Sequence, residues 1–202
     1  MKKKGFTLME VLVVVLIIAV LFAMYSASYE SSKITRRNEK ARAMFVEFAN
    51  AARLFNEMYP SQRLVGTFGN TMDVDSSKCP NCKNPCILFE GYTSQGDVDT
   101  MHSFVLKPLE WGLYDVGNCS SSFNYDGYDF ILCNPYFSNE SGAQPDEACN
   151  GDRFAVMKIP NDSAYGSRYK GKHVWITNGY EIEDDFNPAN AATENTQEEE
   201  TH

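Results

Sequence analysis

The sequence predicts an α+β fold: one long N-terminal helix, membrane-spanning in its first half, packed by its second half on an antiparallel β-sheet. Three observations predict it. Neither Gly nor Pro occurs between Gly5 and Pro60, so nothing breaks a helix from Phe6 to Tyr59. The inner part of that stretch is apolar on every side, whereas the outer part is apolar on one face only. Beyond residue 104 the apolar residues alternate, as strands require.

Taken in order, Lys2, Lys3 and Lys4 lead into Gly5-Phe6-Thr7-Leu8-Met9-Glu10, and no charged residue follows from Val11 to Met24. Phe6 to Tyr25 is an apolar length of about 20 residues, which at a rise of ~1.5 Å each crosses a ~30 Å hydrocarbon core. Glu10 is the exception. A carboxylate within a span costs roughly 2.5–3.5 kcal/mol and calls for a partner. Past Ser26, Ala41, Phe45, Phe48, Ala52, Phe55 and Tyr59 recur at alternating spacings of four and three, an apolar stripe with Arg42, Glu47, Arg53 and Glu57 off it. A coiled-coil partner or the remainder of the chain must cover that stripe, and the remainder is the expected cover. Pro60 ends the helix, having no donor and clashing with the preceding turn.

The rest, 60–186, reads as a cysteine-rich α+β globular domain. Residues 61–103, punctuated by Gly66, Gly69, Pro80, Pro85, Gly91 and Gly96, read as an irregular connection, with Ile87-Leu88-Phe89 as a short strand or helical turn. Strands are expected at Phe104–Leu106, within Tyr125–Cys133, at Phe154–Ile159 and at Lys172–Thr177. Asn178-Gly179 is a hairpin turn signal, with Tyr180-Glu181-Ile182 returning from it. Residues 187–202, ending Glu198-Glu199-Glu200-Thr201-His202, read as an acidic disordered tail.

The N-terminal residues resemble a known family. Lys-Lys-Lys-Gly-Phe-Thr-Leu-Met-Glu before an aliphatic run is similar to the start of type IV prepilins and type II secretion pseudopilins, closely over the first 30 residues or so. The resemblance implies a leader at 1–5, cleavage between Gly5 and Phe6 by a prepilin peptidase, and N-methylation of Phe6. It implies that Glu10 is the acid of the mature N-terminus, and that the chain assembles with copies of itself into a helical filament through inner-membrane machinery. The pilin layout, a long helix on a sheet, agrees with the pattern read from the residues. Electrostatics supports the role of Glu10. Cleavage creates an amine at Phe6, and in a stack of parallel helices the Glu10 of one subunit meets the Phe6 amine of another. Such a pair is strong in low dielectric, and either charge alone is costly.

Charge and cysteines place the domain outside the cytoplasm. The chain of 202 residues carries a net charge of −9, and loss of Lys2, Lys3 and Lys4 leaves 15 of its 18 basic side chains against 27 acidic, a net −12. Such a surface argues against general nucleic-acid binding. Lys2 to Lys4 favour a cytoplasmic N-terminus, while Lys33, Arg36, Arg37, Lys40 and Arg42 oppose it. Long domains translocate largely regardless of charge, and six cysteines, an even count, suit an oxidising compartment. The expected location is therefore the bacterial inner membrane as a single-pass precursor, then the periplasm or a surface filament.

Cys79-x2-Cys82-x3-Cys86 is the sharpest cluster. Structural disulfides are the expected role, with a zinc or iron–sulfur site or a Cys79–Cys82 redox pair as alternatives. A Cys133–Cys149 bridge would close a loop, and Cys119 would then pair back into the 79–86 cluster. Asn124-x-Asp126-Gly127-x-Asp129 and the acids Asp146, Glu147 and Asp152 read as turn and surface residues rather than a calcium loop. No metal, no cofactor and no enzymatic site is expected, for no phosphate loop, nucleophile elbow or HExxH is present. A pilus subunit, a type II secretion pseudopilin and a monomeric membrane-anchored binding or redox domain are the candidate functions.

The processing claim is directly testable. Gly5→Val should leave Met1 through Phe6 intact, because a bulky residue does not fit a site that accepts glycine. Mass spectrometry of the wild-type N-terminus should find a methylated Phe6, and cleavage near Ser26 instead would refute the assignment.

Overall fold

The computed structural model describes residues 7–67, 81–90, 106–113, 124–133 and 144–186. The chain divides into two units, 1–39 and 40–202, with helix α1 (Leu8–Met58) contributing to each. The helix starts later than expected, because Thr7 caps it. It ends at Met58, where Tyr59 N still bonds Phe55 O and Pro60 has no N–H to continue. In the first unit every large apolar side chain from Leu8 to Tyr25 is exposed, so this helix is apolar all round. It is the one described helix long and apolar enough to cross a membrane.

In the second unit the stripe is buried as its spacing requires. Ala41, Phe45, Phe48, Ala52 and Phe55 are wholly buried, and Tyr59 packs against them half-buried. Their cover is a five-stranded antiparallel sheet, not a second helix. In spatial order it runs β2 (Gly66–Thr67), β4 (Asp129–Leu132), β5 (Arg153–Lys158), β6 (His173–Thr177) and β7 (Ile182–Asp184). β1 (Arg63–Leu64) and β3 (Cys82–Lys83) form a separate parallel pair. Alternation along β4 sends Phe130 and Leu132 to the helix side, where Tyr128 just before the strand joins them. Phe130 meets Phe45 and Phe48 at centroid distances of 5.6 and 5.8 Å. Trp111 stands edge-on to Phe48, Phe89, Tyr125 and Phe130, so an aromatic cluster fills the space between helix and sheet.

The opposite sheet face is also covered, which the sequence reading did not foresee. Ile131, Val156 and Trp175 lie on one line across β4, β5 and β6. With Ala148, Cys133 and Cys149 they form a second, smaller core. Arg153 lies over the Trp175 ring at 3.9 Å and donates to Ala148 O at 3.0 Å. The Cys133–Cys149 disulfide, with Cα atoms 5.3 Å apart, thus ties the strand end to the segment that caps this face.

Two expectations need correction, the irregular connection and the start of the return strand. The stretch 61–103 is not wholly irregular: Gly66–Thr67 pairs with Leu132 and Ile131 as an edge of the main sheet. Such two-residue strands leave no periodicity to read. Ile87-Leu88-Phe89 takes the helical-turn alternative: Pro85–Leu88 is a 3₁₀ helix capped by the Asn84 side chain. Of the expected strand at 104–106, only Leu106 is described, as a single bridge to Phe89. The hairpin turn at Asn178-Gly179 is present, but Tyr180 joins it with φ of 72°, so the return strand starts at Ile182. Arg53 explains that turn's position, stacking from α1 onto the Tyr180 ring at 3.4 Å. Arg42 similarly reaches Asp184 on β7 at 3.3 Å. Beside it, burial opposes ionisation of Asp185. The side-chain and backbone hydrogen bonds from His173, aided by the charges of His173 and Lys172, outweigh it and hold the carboxyl below its ordinary range. The predicted tail at 187–202 lies outside the described residues.

Replacing both Cys133 and Cys149 with Ala should cost roughly 3 kcal/mol on the chain-entropy model of a loop this size. In a chain of this length that lowers Tm by about 6–12 °C. Calorimetry with Trp fluorescence checks it, and an unchanged Tm would show that the bridge contributes nothing.

Candidate assembly and processing site

The start of α1 is built by a reciprocal cap. Thr7 is the last non-helical residue, and the first helical bond runs from Val11 N to Thr7 O at 3.3 Å. The first backbone donors of a helix have no partner within it, and here side chains supply two. Glu10 N donates to Thr7 Oγ1 at 3.3 Å. In return Glu10 Oε2 accepts from Thr7 N at 2.8 Å and from Thr7 Oγ1 at 2.9 Å. This is the Ser/Thr-x-x-Glu capping box, with the acid at the positive end of the helix dipole.

The cap answers part of the question Glu10 poses. A carboxylate in an apolar segment needs donors, and Thr7 gives Oε2 two of them. Oε1 has no partner among the described residues. One acceptor is therefore fixed locally and a second is left over. Thr7 is the residue that reasoning about Glu10 alone overlooked, although Thr-x-x-Glu ahead of an apolar run is a legible start signal. Gly5 and Phe6, the expected processing and methylation residues, lie outside the described residues.

The cysteine candidates fall into two groups. Cys133 and Cys149 pair as expected. Cys82 and Cys86 are each disulfide-bonded, while Cys79 and Cys119 lie outside the described residues. Among the described residues no group of three or more His, Cys, Asp or Glu is placed to hold a metal ion. The Asn124–Asp129 motif is a turn instead: Asn124 Oδ1 accepts from Gly127 N at 3.1 Å and Asp126 has φ of 49°. Asp146 is occupied by Lys158 at 3.0 Å.

Two open clefts lie on the second unit. One, of about 440 Å³, runs along α1 past Val46, Glu47, Asn50 and Leu54 to Leu106. Burial, then the charge of Glu110, raises the Glu47 carboxyl above its ordinary range. The other, of about 370 Å³, is lined by Arg53, Arg63, Phe154 and Tyr180 among others.

Comparison with known proteins bears on the N-terminus. Residues 1–26 match the family model described as the prokaryotic N-terminal methylation motif, the signature of type IV pilins and pseudopilins. The match covers about an eighth of the chain. Comparisons with curated proteins and with solved structures give no match.

The cap makes a prediction of its own. Thr7→Val keeps the side-chain shape but removes both hydroxyl bonds, at a cost of about 1 kcal/mol to the helix start. Amide exchange at Leu8, Met9 and Glu10 should speed up in the detergent-solubilised mature chain, with the sheet unaffected. Unaltered exchange there would remove the capping box as a working element.

Proposed function

We propose that a chain opening on this methylation signature is a structural subunit of a type IV pilus-like filament. The observation that carries the reading is the continuity of the motif at 1–26 with an exposed apolar helix. In this reading the precursor sits in the inner membrane with its N-terminus in the cytoplasm. A prepilin peptidase cuts between Gly5 and Phe6 and methylates Phe6. The inner-membrane machinery then packs the segment from Phe6 to Tyr25 into a bundle of copies, and the cysteine-rich unit forms the filament surface.

The pairing of Glu10 with a neighbour's Phe6 amine sets the register of the bundle. Thr7 holds Oε2 toward the helix start, and Oε1 is the acceptor offered to the amine. Burial of apolar helix surface supplies the drive, at about 25 cal/mol per Å² removed from water for the part that leaves an aqueous setting. Within lipid, packing and polar contacts between helices take over. A type II secretion pseudopilin would use the same assembly chemistry, so both readings share the test that follows.

Glu10→Ala should leave the chain inserted, cut and folded, because the outer unit has its own core and disulfides. Assembly should fail, since the buried amine would lack its acid at a cost of several kcal/mol. Glu10→Gln should rescue poorly, for an amide does not neutralise an ammonium. Shearing cells and comparing filament yield with mature monomer in the membrane decides the matter: equal yields from wild type and Glu10→Ala would sink the mechanism.

A further inference from the structure

The face of α1 just beyond the apolar run is chemically distinct. Tyr25, Ser28, Tyr29, Ser32, Lys33 and Arg36 follow one another at steps of three, one, three, one and three, so they share one side of the helix. They line an open concavity of about 370 Å³. The Tyr25 and Tyr29 rings stack with centroids 6.2 Å apart, and they are 68% and 60% exposed. Flanking hydroxyls are used up within the helix: Ser26 donates to Ala23 O and Thr35 to Ser31 O, each at 3.0 Å. Among the described residues Ser28 and Ser32 make no such bond, and Lys33 and Arg36 are exposed without an ion pair. The face is thus aromatic at its inner end, hydroxylated in the middle and cationic at its outer end.

Depth decides what such a face meets. If Tyr25 stands at the hydrocarbon boundary, Tyr29 lies ~6 Å, Lys33 ~12 Å and Arg36 ~16 Å beyond it along the axis. The headgroup layer extends roughly 5–8 Å past the hydrocarbon core on each side. Helical side chains lean toward the N-terminus, here toward the bilayer, and long cationic side chains extend so as to place their charge among polar groups. Tyr rings favour this same layer. Cations retained on the translocated side run against the usual charge bias, and an anion at that depth would compensate them.

We propose that this face binds the phosphodiester headgroup of an anionic phospholipid in the leaflet facing the globular unit. Lys33 and Arg36 supply the charge, Ser28 and Ser32 donate to phosphate oxygens, and the two tyrosines fix the depth. The inference rests on the reading that Phe6 to Tyr25 spans the bilayer.

The test uses the full chain in vesicles of equal phosphatidylglycerol and phosphatidylcholine, recovered in nanodiscs, with retained lipids counted by native mass spectrometry. Wild type should hold phosphatidylglycerol in preference. Lys33→Gln/Arg36→Gln should lower that enrichment by roughly fivefold for each cation removed, while Lys170→Gln/Lys172→Gln in the globular unit should leave it unchanged. Excess inorganic phosphate should not displace the lipid. Equal retention of both lipids by wild type, no loss in the Lys33/Arg36 variant, or displacement by free phosphate overturns the proposal. So does a variant that keeps its lipid but loses self-association, which would assign the face to a neighbouring copy. Failure of wild type to float with vesicles would refute the span itself, a separate and recognisable result.

Discussion

Burial of one face of α1 against the sheet is what the globular unit depends on. Phe45, Phe48 and Phe55 have no exposed surface, and aromatic side chains of this size dominate the energetics of a core. The same contact aligns the edges. Arg42 and Arg53 leave the helix off the stripe, one clasping Asp184 and the other stacking on Tyr180. Both attach the last hairpin to the helix. Truncating a buried phenylalanine costs about 3–5 kcal/mol, so loss of one such ring removes a large part of the stability of an ordinary domain.

The inner end of the same helix is long and apolar enough to cross a membrane. Where water is absent, every backbone donor must find a partner within the protein. The Thr7–Glu10 box satisfies two donors at the helix start, Thr7 N and Glu10 N, with two side chains only three residues apart. It also divides the two oxygens of the acid. One oxygen is used in the cap, and the other is left for the contact that the filament reading requires.

The long helix was legible because its signals are long. A stretch without Gly or Pro, an apolar run and a stripe each extend over many residues, and the stripe emerged buried at every position from Ala41 to Phe55. The strands β4, β5 and β6 were legible from alternation, and the Cys133–Cys149 pair from the loop it closes. Two-residue strands such as Gly66–Thr67 carry no period. The second core was hidden because Ile131, Val156 and Trp175 come from three strands. Their alignment exists only once register is set. At the N-terminus, Glu10 stood out by its charge, whereas Thr7 passed unnoticed because threonine is unremarkable in an apolar segment.

Covering both faces of one sheet has a consequence for how the sequence is free to drift. Phe130 and Leu132 of β4 and Ala155 and Met157 of β5 belong to one core, Ile131 and Val156 to the other, so inserting or deleting a single residue there would exchange Phe130 for Ile131 on β4, or Met157 for Val156 on β5, and spoil both sides together. Strand length is therefore locked. The disulfide between Cys133 and Cys149 requires only that its two ends meet, and lengthening a closed loop is cheap, about 0.6 kcal/mol for each doubling. Change in chain length is therefore tolerated better between the two cysteines than within β4 or β5.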